Sequence, residues 1–103
     1  MKRTVCSLDQ NPELREFLKA CASETRQKIL FQFVDGAARS VGQIAEELGI
    51  VPSTASEHLA ILKRGGLLDA EREGKEVYYR PNRARILGLL RNLTELLTAC
   101  CPE

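Results

Sequence analysis

Residues 40–79 read SVGQIAEELGIVPSTASEHLAILKRGGLLDAEREGKEVYY, and no other stretch limits so tightly what this chain can fold into. Ser40-Val41-Gly42-Gln43 matches a capping box, with Ser as N-cap and Gln three residues on. Ile44, Ala45 and Leu48 then form one apolar face of a short helix. Gly49 supplies the positive φ that a tight inter-helix turn needs. Pro52 or Ser53 opens a second helix with Ala55, Leu59 and Leu62 on its inner face, and Gly65-Gly66 stops it. Leu67 to Arg72 and Val77 to Arg80 read as two strands around a Glu73-Gly74-Lys75 tip. Two helices about a glycine turn, then a hairpin, make the layout of a winged helix-turn-helix. In that module the second helix enters the DNA major groove.

The flanks add three helices. Asn11-Pro12-Glu13 starts the first, with Asn as cap, Pro in the first turn and Glu at the positive helix end. Leu14, Phe17, Leu18 and Cys21 share one face of it. The second runs from about Ser23 to Asp35-Gly36, with Ile29, Leu30, Phe33 and Val34 apolar. The last follows Pro81-Asn82 and carries a stripe of Ile86, Leu89, Leu90, Leu93, Leu96 and Leu97. The expected fold is mainly α with a small β-hairpin wing. It forms one domain over 1–103, with an N-terminal arm (1–10) and a C-terminal dimerisation helix (82–99) that ends in a cysteine tail. First and last helices both carry apolar faces outside the helix-turn-helix core, which suits a two-fold homodimer. A dimer presents two recognition helices to successive major-groove faces, so the expected target is a near-palindromic operator.

Composition excludes little else. Hydrophobic residues are 44% and charged residues 28% of 103, which marks a globular chain. No apolar run approaches the ~20 residues of a membrane span. The start, MKRTVCSLDQNPE, has a basic tip and no apolar core, so it is no secretory signal. These features predict a cytoplasmic protein with no membrane partner. The net charge is only +1, weak support for nucleic acid. The segment from Lys63 to Arg85 carries seven basic and four acidic residues. On charge alone that is a solvated surface.

Candidate DNA contacts are Ser53, Thr54, Ser56, His58 and Lys63 on the outer face of the second helix of the motif, with Arg72 and Lys75 in the wing. Small hydroxyl residues allow close approach to phosphates and base edges, and Thr54 can touch a thymine methyl. The plain alternative for Ser53 and Thr54 is helix capping; for His58 it is a solvent-facing residue of no consequence. Tyr78 and Tyr79 are expected to pack beneath the hairpin rather than stack on bases. An enzyme is not expected: there is no Cys-x-x-Cys and no sequence case for a base beside a nucleophile. A winged helix used only for protein contacts would lack the salt-dependent DNA affinity that phosphate contacts impose.

LKACASETRQKIL, then SVGQIAEELGIVPSTASEHLAILKRGGLL, then EREGKEVYYRP, resembles the ArsR/SmtB family of bacterial metal-responsive repressors. The likeness runs from about Asn11 to Leu97. It implies a homodimeric winged-helix repressor that binds an operator when free and releases it when an inducer binds. No cofactor is required for DNA binding. By family pattern, Ser53, Thr54, Ser56 and His58 fall on the recognition helix and Arg72 to Lys75 on the wing.

Two inducer sites familiar in that family are missing here. Where a Cys-x-Cys would open the helix-turn-helix, the chain has Ser40-Val41-Gly42-Gln43. The last helix has no His and only Glu95 as an acidic ligand. A dithiol sensor would pair cysteines on the second and last helices; the second helix has none, which leaves a pairing through Cys21 or Cys6. Four cysteines remain: Cys6, Cys21, Cys100 and Cys101. Neighbouring thiolates chelate a soft centre readily, whereas a disulfide between neighbours is strained. The tail resembles the C-terminal pair of arsenic-responsive members. Cys100 and Cys101 are therefore the expected ligands for trivalent arsenic, inorganic or organic. Cys6 is a candidate third sulfur from a mobile arm. Cys21 reads first as a small hydrophobe on an apolar stripe. Cadmium, zinc, oxidants and reactive sulfur are the competing signals for the same thiols.

Overall fold

The computed structural model describes residues 6–101. The basic tip at Lys2-Arg3 and the terminal Pro102-Glu103 lie outside them. A 3-10 turn at Leu8–Gln10 leads into α1 (Pro12–Cys21) and α2 (Glu24–Phe31). A two-residue strand β1 (Arg39–Ser40) precedes α3 (Val41–Leu48) and α4 (Pro52–Arg64). The hairpin β2 (Leu68–Glu73) and β3 (Glu76–Pro81) follows, then α5 (Arg83–Cys100).

Local chemistry explains the boundaries. The capping box of α3 is complete: Ser40 Oγ accepts from the Gln43 N–H at 3.1 Å, and Gln43 Oε1 accepts from the Ser40 N–H at 2.8 Å. Gly49 closes α3 at φ +66°, a conformation that costs a residue with a Cβ far more. Ser23 caps α2 by accepting from Arg26 N–H. Asn11 stands at the start of α1 as expected but does not cap with its side chain. Its amide instead donates to Ser7 O at 3.0 Å, tying the arm to the helix. Asn82 caps α5 through Arg85 N–H and donates to Asp69, which joins the wing to the last helix.

The core centres on α4. Ala55, Leu59 and Leu62 are wholly buried, with α1, α2, α3 and β2 packed around them. Ala20, Ile29, Ile44 and Leu68 close the rest. The sheet has three antiparallel strands in the order β1-β3-β2, one more than expected. Arg39 pairs with Tyr79 and Ser40 with Tyr78, so the short β1 covers the inner edge of the hairpin. Strand alternation sends the two tyrosines to opposite faces. Tyr79 enters the core, where burial raises its hydroxyl pKa. Tyr78 is half-buried and lies with Asp69, Glu71 and Arg80 on the other face, so only one tyrosine packs as expected.

Helix α2 ends before the expected Asp35-Gly36, and the chain continues in turns. Phe31 and Val34 are left 71% and 76% exposed. The leucine stripe of α5 splits. Leu89 is buried and Ile86, Leu93 and Leu96 lean on the core, whereas Leu90 and Leu97 stand open, with Leu87 beside them.

Candidate functional site

The outer face of α4 is free to meet a ligand. Val51 is the N-cap and makes no side-chain cap bond, and Pro52 fills the first helical position. Ser53 and Thr54 follow inside the first turn, so capping does not consume their hydroxyls. Among the described residues neither hydroxyl, nor that of Ser56, has a protein partner. Ser53 and Ser56 are exposed and Thr54 half-buried. The first-turn N–H groups of a helix carry partial positive charge and favour an anion. Lys63 and Arg64 are exposed at the far end of the same helix.

His58 departs from the solvent-facing alternative offered for it. It is half-buried, and Arg26 Nη1 donates to its Nδ1 at 3.3 Å. Arg26 was not legible as a site residue, because its role depends on how α2 packs on α4. Its other donors reach the C-terminal carbonyls of α1: Nε to Ala20 O at 2.9 Å and Nη2 to Lys19 O at 3.1 Å.

Two of the wing's cations stand near its tip. Arg72 and Lys75 are both exposed. Glu73 pairs with Glu76, which leaves Gly74-Lys75 as a two-residue loop, and Gly74 takes φ +61°. A positive φ at the first loop position alone is the pattern of a type II′ hairpin turn.

The cysteines divide into two places. Cys6 and Cys100 are joined by a disulfide, with Cα atoms 5.6 Å apart. The described part of the arm, residues 6–10, is therefore tied to α5 in this state. Cys101 is free and exposed beside the bond. Cys6, Cys100 and Cys101 line one shallow apolar groove of about 350 Å³ with Leu18, Leu93 and Leu97. Cys21 lies elsewhere, in a larger apolar groove of about 730 Å³ between α2 and α5 with Phe31, Leu87 and Leu90. Burial raises its thiol pKa, against a smaller lowering by Arg26. Among the described residues no cluster of three or more His, Cys, Asp or Glu is placed to hold a metal ion. With two sulfurs bonded to each other, the expected thiolate set exists only after reduction.

Comparison with known proteins places this geometry. Residues 23–70 match the family model described as bacterial regulatory protein, arsR family. The transcriptional repressor PagR of Bacillus anthracis is 34% identical over 90 residues, 87% of each chain. The transcriptional activator HlyU of Vibrio cholerae is 34% identical over 79 residues, 77% of this chain and 72% of HlyU. The cadmium resistance regulatory protein CadC of Listeria innocua is 34% identical over 77% of this chain and 66% of its own. Among solved structures, the homodimeric winged helix-turn-helix DNA-binding domain of Mb0332 from Mycobacterium bovis superposes with a TM-score of 0.68. It is 31% identical, with 92% of this chain and 91% of that one covered. These relatives are transcriptional regulators rather than enzymes. The chain belongs to the arsR family of bacterial regulatory proteins.

Proposed function

We propose that this protein is a homodimeric cytoplasmic repressor that holds a near-palindromic operator through α4 and the wing. It releases that operator when the thiols of Cys6, Cys100 and Cys101 take trivalent arsenic, as arsenite or an organoarsenical. The observation that supports this most is the meeting of Cys6 with the Cys100-Cys101 pair across 94 residues of sequence. Reduction of the Cys6–Cys100 bond by a cellular dithiol yields three thiols around one groove, a soft donor set. Ser53, Thr54, Ser56, His58 and Lys63 on α4, with Arg72 and Lys75, are the proposed DNA contacts. Cys21 stands apart from the sensor. An inducer bridging the arm and α5 weakens DNA binding only as far as it favours one dimer geometry over the other.

The disulfide itself supports a second reading, an oxidant or reactive-sulfur sensor in which closing and opening that bond is the signal. The likeness to a cadmium resistance regulator keeps cadmium, and by the same donors zinc, as further inducers.

Fluorescence anisotropy with DNA from just upstream of the gene separates these readings. Reduced protein bound to that DNA is titrated with arsenite, methylated trivalent arsenic, cadmium and zinc, and in parallel with a mild oxidant. Release at stoichiometric arsenic is the expected result. Cys100→Ser and Cys101→Ser are each expected to keep operator affinity and lose release. Normal release in both variants would sink the C-terminal sensor. Release by oxidant alone, reversed by dithiothreitol, would establish the second reading instead.

A further inference from the structure

We propose that Arg26 is a positioning residue for DNA binding: it holds the His58 ring in its Nε2–H form, and that N–H donates to a backbone phosphate of the operator. The inference rests on the reading of α4 as the DNA-facing helix and adds to it an assignment on α2.

The argument starts from the guanidinium. It has five N–H donors and no acceptor, and it stays charged. When Arg26 Nη1 meets His58 Nδ1 at 3.3 Å, only the histidine nitrogen can accept. With Nδ1 as the acceptor it carries the lone pair, which puts the ring's proton on Nε2 in the proposed form. Arg26 is held for this task. Two of its N–H groups donate to carbonyls at the end of α1: that of Ala20, which the last helical turn leaves open, and that of Lys19, which also accepts from the Ala22 N–H at 3.3 Å. Its backbone is fixed by the Ser23 cap. Three elements thus set the orientation of one ring.

The other ring nitrogen has no partner within the protein among the described residues. No buried side-chain nitrogen or oxygen lacks a hydrogen bond there, so Nε2–H is open to solvent. His58 lies one helical turn after Thr54 on the same side of α4, at the border of the exposed face next to α2. The middle of a recognition helix faces base edges, and its borders face the flanking strands of the duplex. A preoriented neutral donor at that border suits a phosphate oxygen. It contributes a hydrogen bond and releases no counterion.

The chain has a single histidine, so its imidazole signals are unambiguous. Nitrogen NMR shifts of the free reduced protein are expected to show the Nε2–H tautomer, and a dominant Nδ1–H form would overturn the proposal. His58→Asn keeps an acceptor near Arg26 and removes the outer donor. It is expected to weaken operator and non-specific DNA alike by roughly tenfold, with the salt slope unchanged. His58→Gln, which returns an N–H to the ε position, is expected to recover most of that loss. A fall of about one in the salt slope for His58→Asn would show a cationic ring and refute the neutral-donor role. Arg26→Met is expected to mix the tautomers and weaken DNA binding, yet to cost no more affinity when added to His58→Asn. Should Arg26→Met not fold by circular dichroism, the wild-type tautomer and the two His58 variants still decide. Ser53→Ala and Lys63→Ala serve as controls. If they lower affinity and His58→Asn does not, this inference fails alone. If none of the three lowers it, the assignment of α4 as the DNA-reading helix fails.

Discussion

Asp35 uses both carboxylate oxygens to shape the entry to β1. Oδ1 accepts from the Ala37 N–H at 3.0 Å and Oδ2 from Arg39 Nη2 at 2.8 Å. These bonds, that to Ala37 first and that to Arg39 next, hold the carboxyl below the ordinary aspartate range. A folded-state pKa depressed in this way gives stability above the unfolded value and loses it as pH falls through the folded one. Asp35→Asn is therefore expected to lower the melting temperature slightly at neutral pH, with the gap to wild type closing in acid. Thermal melts across that range check it. The group is exposed, so the effect is small. At this scale the sequence was partly legible. The Ser40–Gln43 box follows from local spacing alone, and so does the start of the last helix after Pro81-Asn82. Arg26 and the tilt of His58 do not, because both depend on α2 meeting α4 from 32 residues away.

Helix α4 reaches its place by close approach to α1 at Gly65. A Cβ there would stand 2.8 Å from Ala20 Cβ and 2.9 Å from the Glu16 carbonyl oxygen. The carbonyl belongs to the α1 backbone and cannot move without shifting the helix. Gly65→Ala is expected to destabilise by about 1–3 kcal/mol, in the range of overpacked cores. Urea titration should show a lower midpoint at unchanged slope. Equal midpoints would mean that α1 yields at no cost. The long elements were readable because apolar residues recur with a helical period, and α3, α4 and the hairpin fall where that period and the glycines place them. The strand β1 was not, since two residues carry no period. Nor was the early end of α2, where Phe33 continues the apolar pattern from a turn rather than a helix.

The whole molecule is longer than a compact chain of its size. Its radius of gyration is 15.8 Å and its extents are 54 × 22 × 22 Å, against about 13 Å expected for the radius of a compact domain. One face is correspondingly unfinished, with Leu87, Leu90 and Leu97 of α5 44%, 44% and 53% exposed. Burial of each leucine contributes about 1.5–3 kcal/mol, so a second copy laid on α5 gains from both subunits. The double variant Leu90→Glu, Leu97→Glu is expected to be monomeric by sedimentation and to bind operator at least tenfold more weakly. A dimer with full affinity would move the interface elsewhere. The apolar stripe announced this face in sequence, but its division into an inward and an outward half required the packing of α1 against α5.

The Cys6–Cys100 bond joins positions 94 residues apart, and so turns nearly the whole chain into a closed ring. A ring cannot fray from either end, and its unfolded form is denied most of its freedom. On the chain-entropy estimate, a loop of this length favours the folded state by about 4–5 kcal/mol. Oxidation state then bears on how firmly the fold persists. The linear, reduced form is expected to open more readily to proteases, so the two sulfurs proposed as part of the sensor would also set how long each copy of the protein survives.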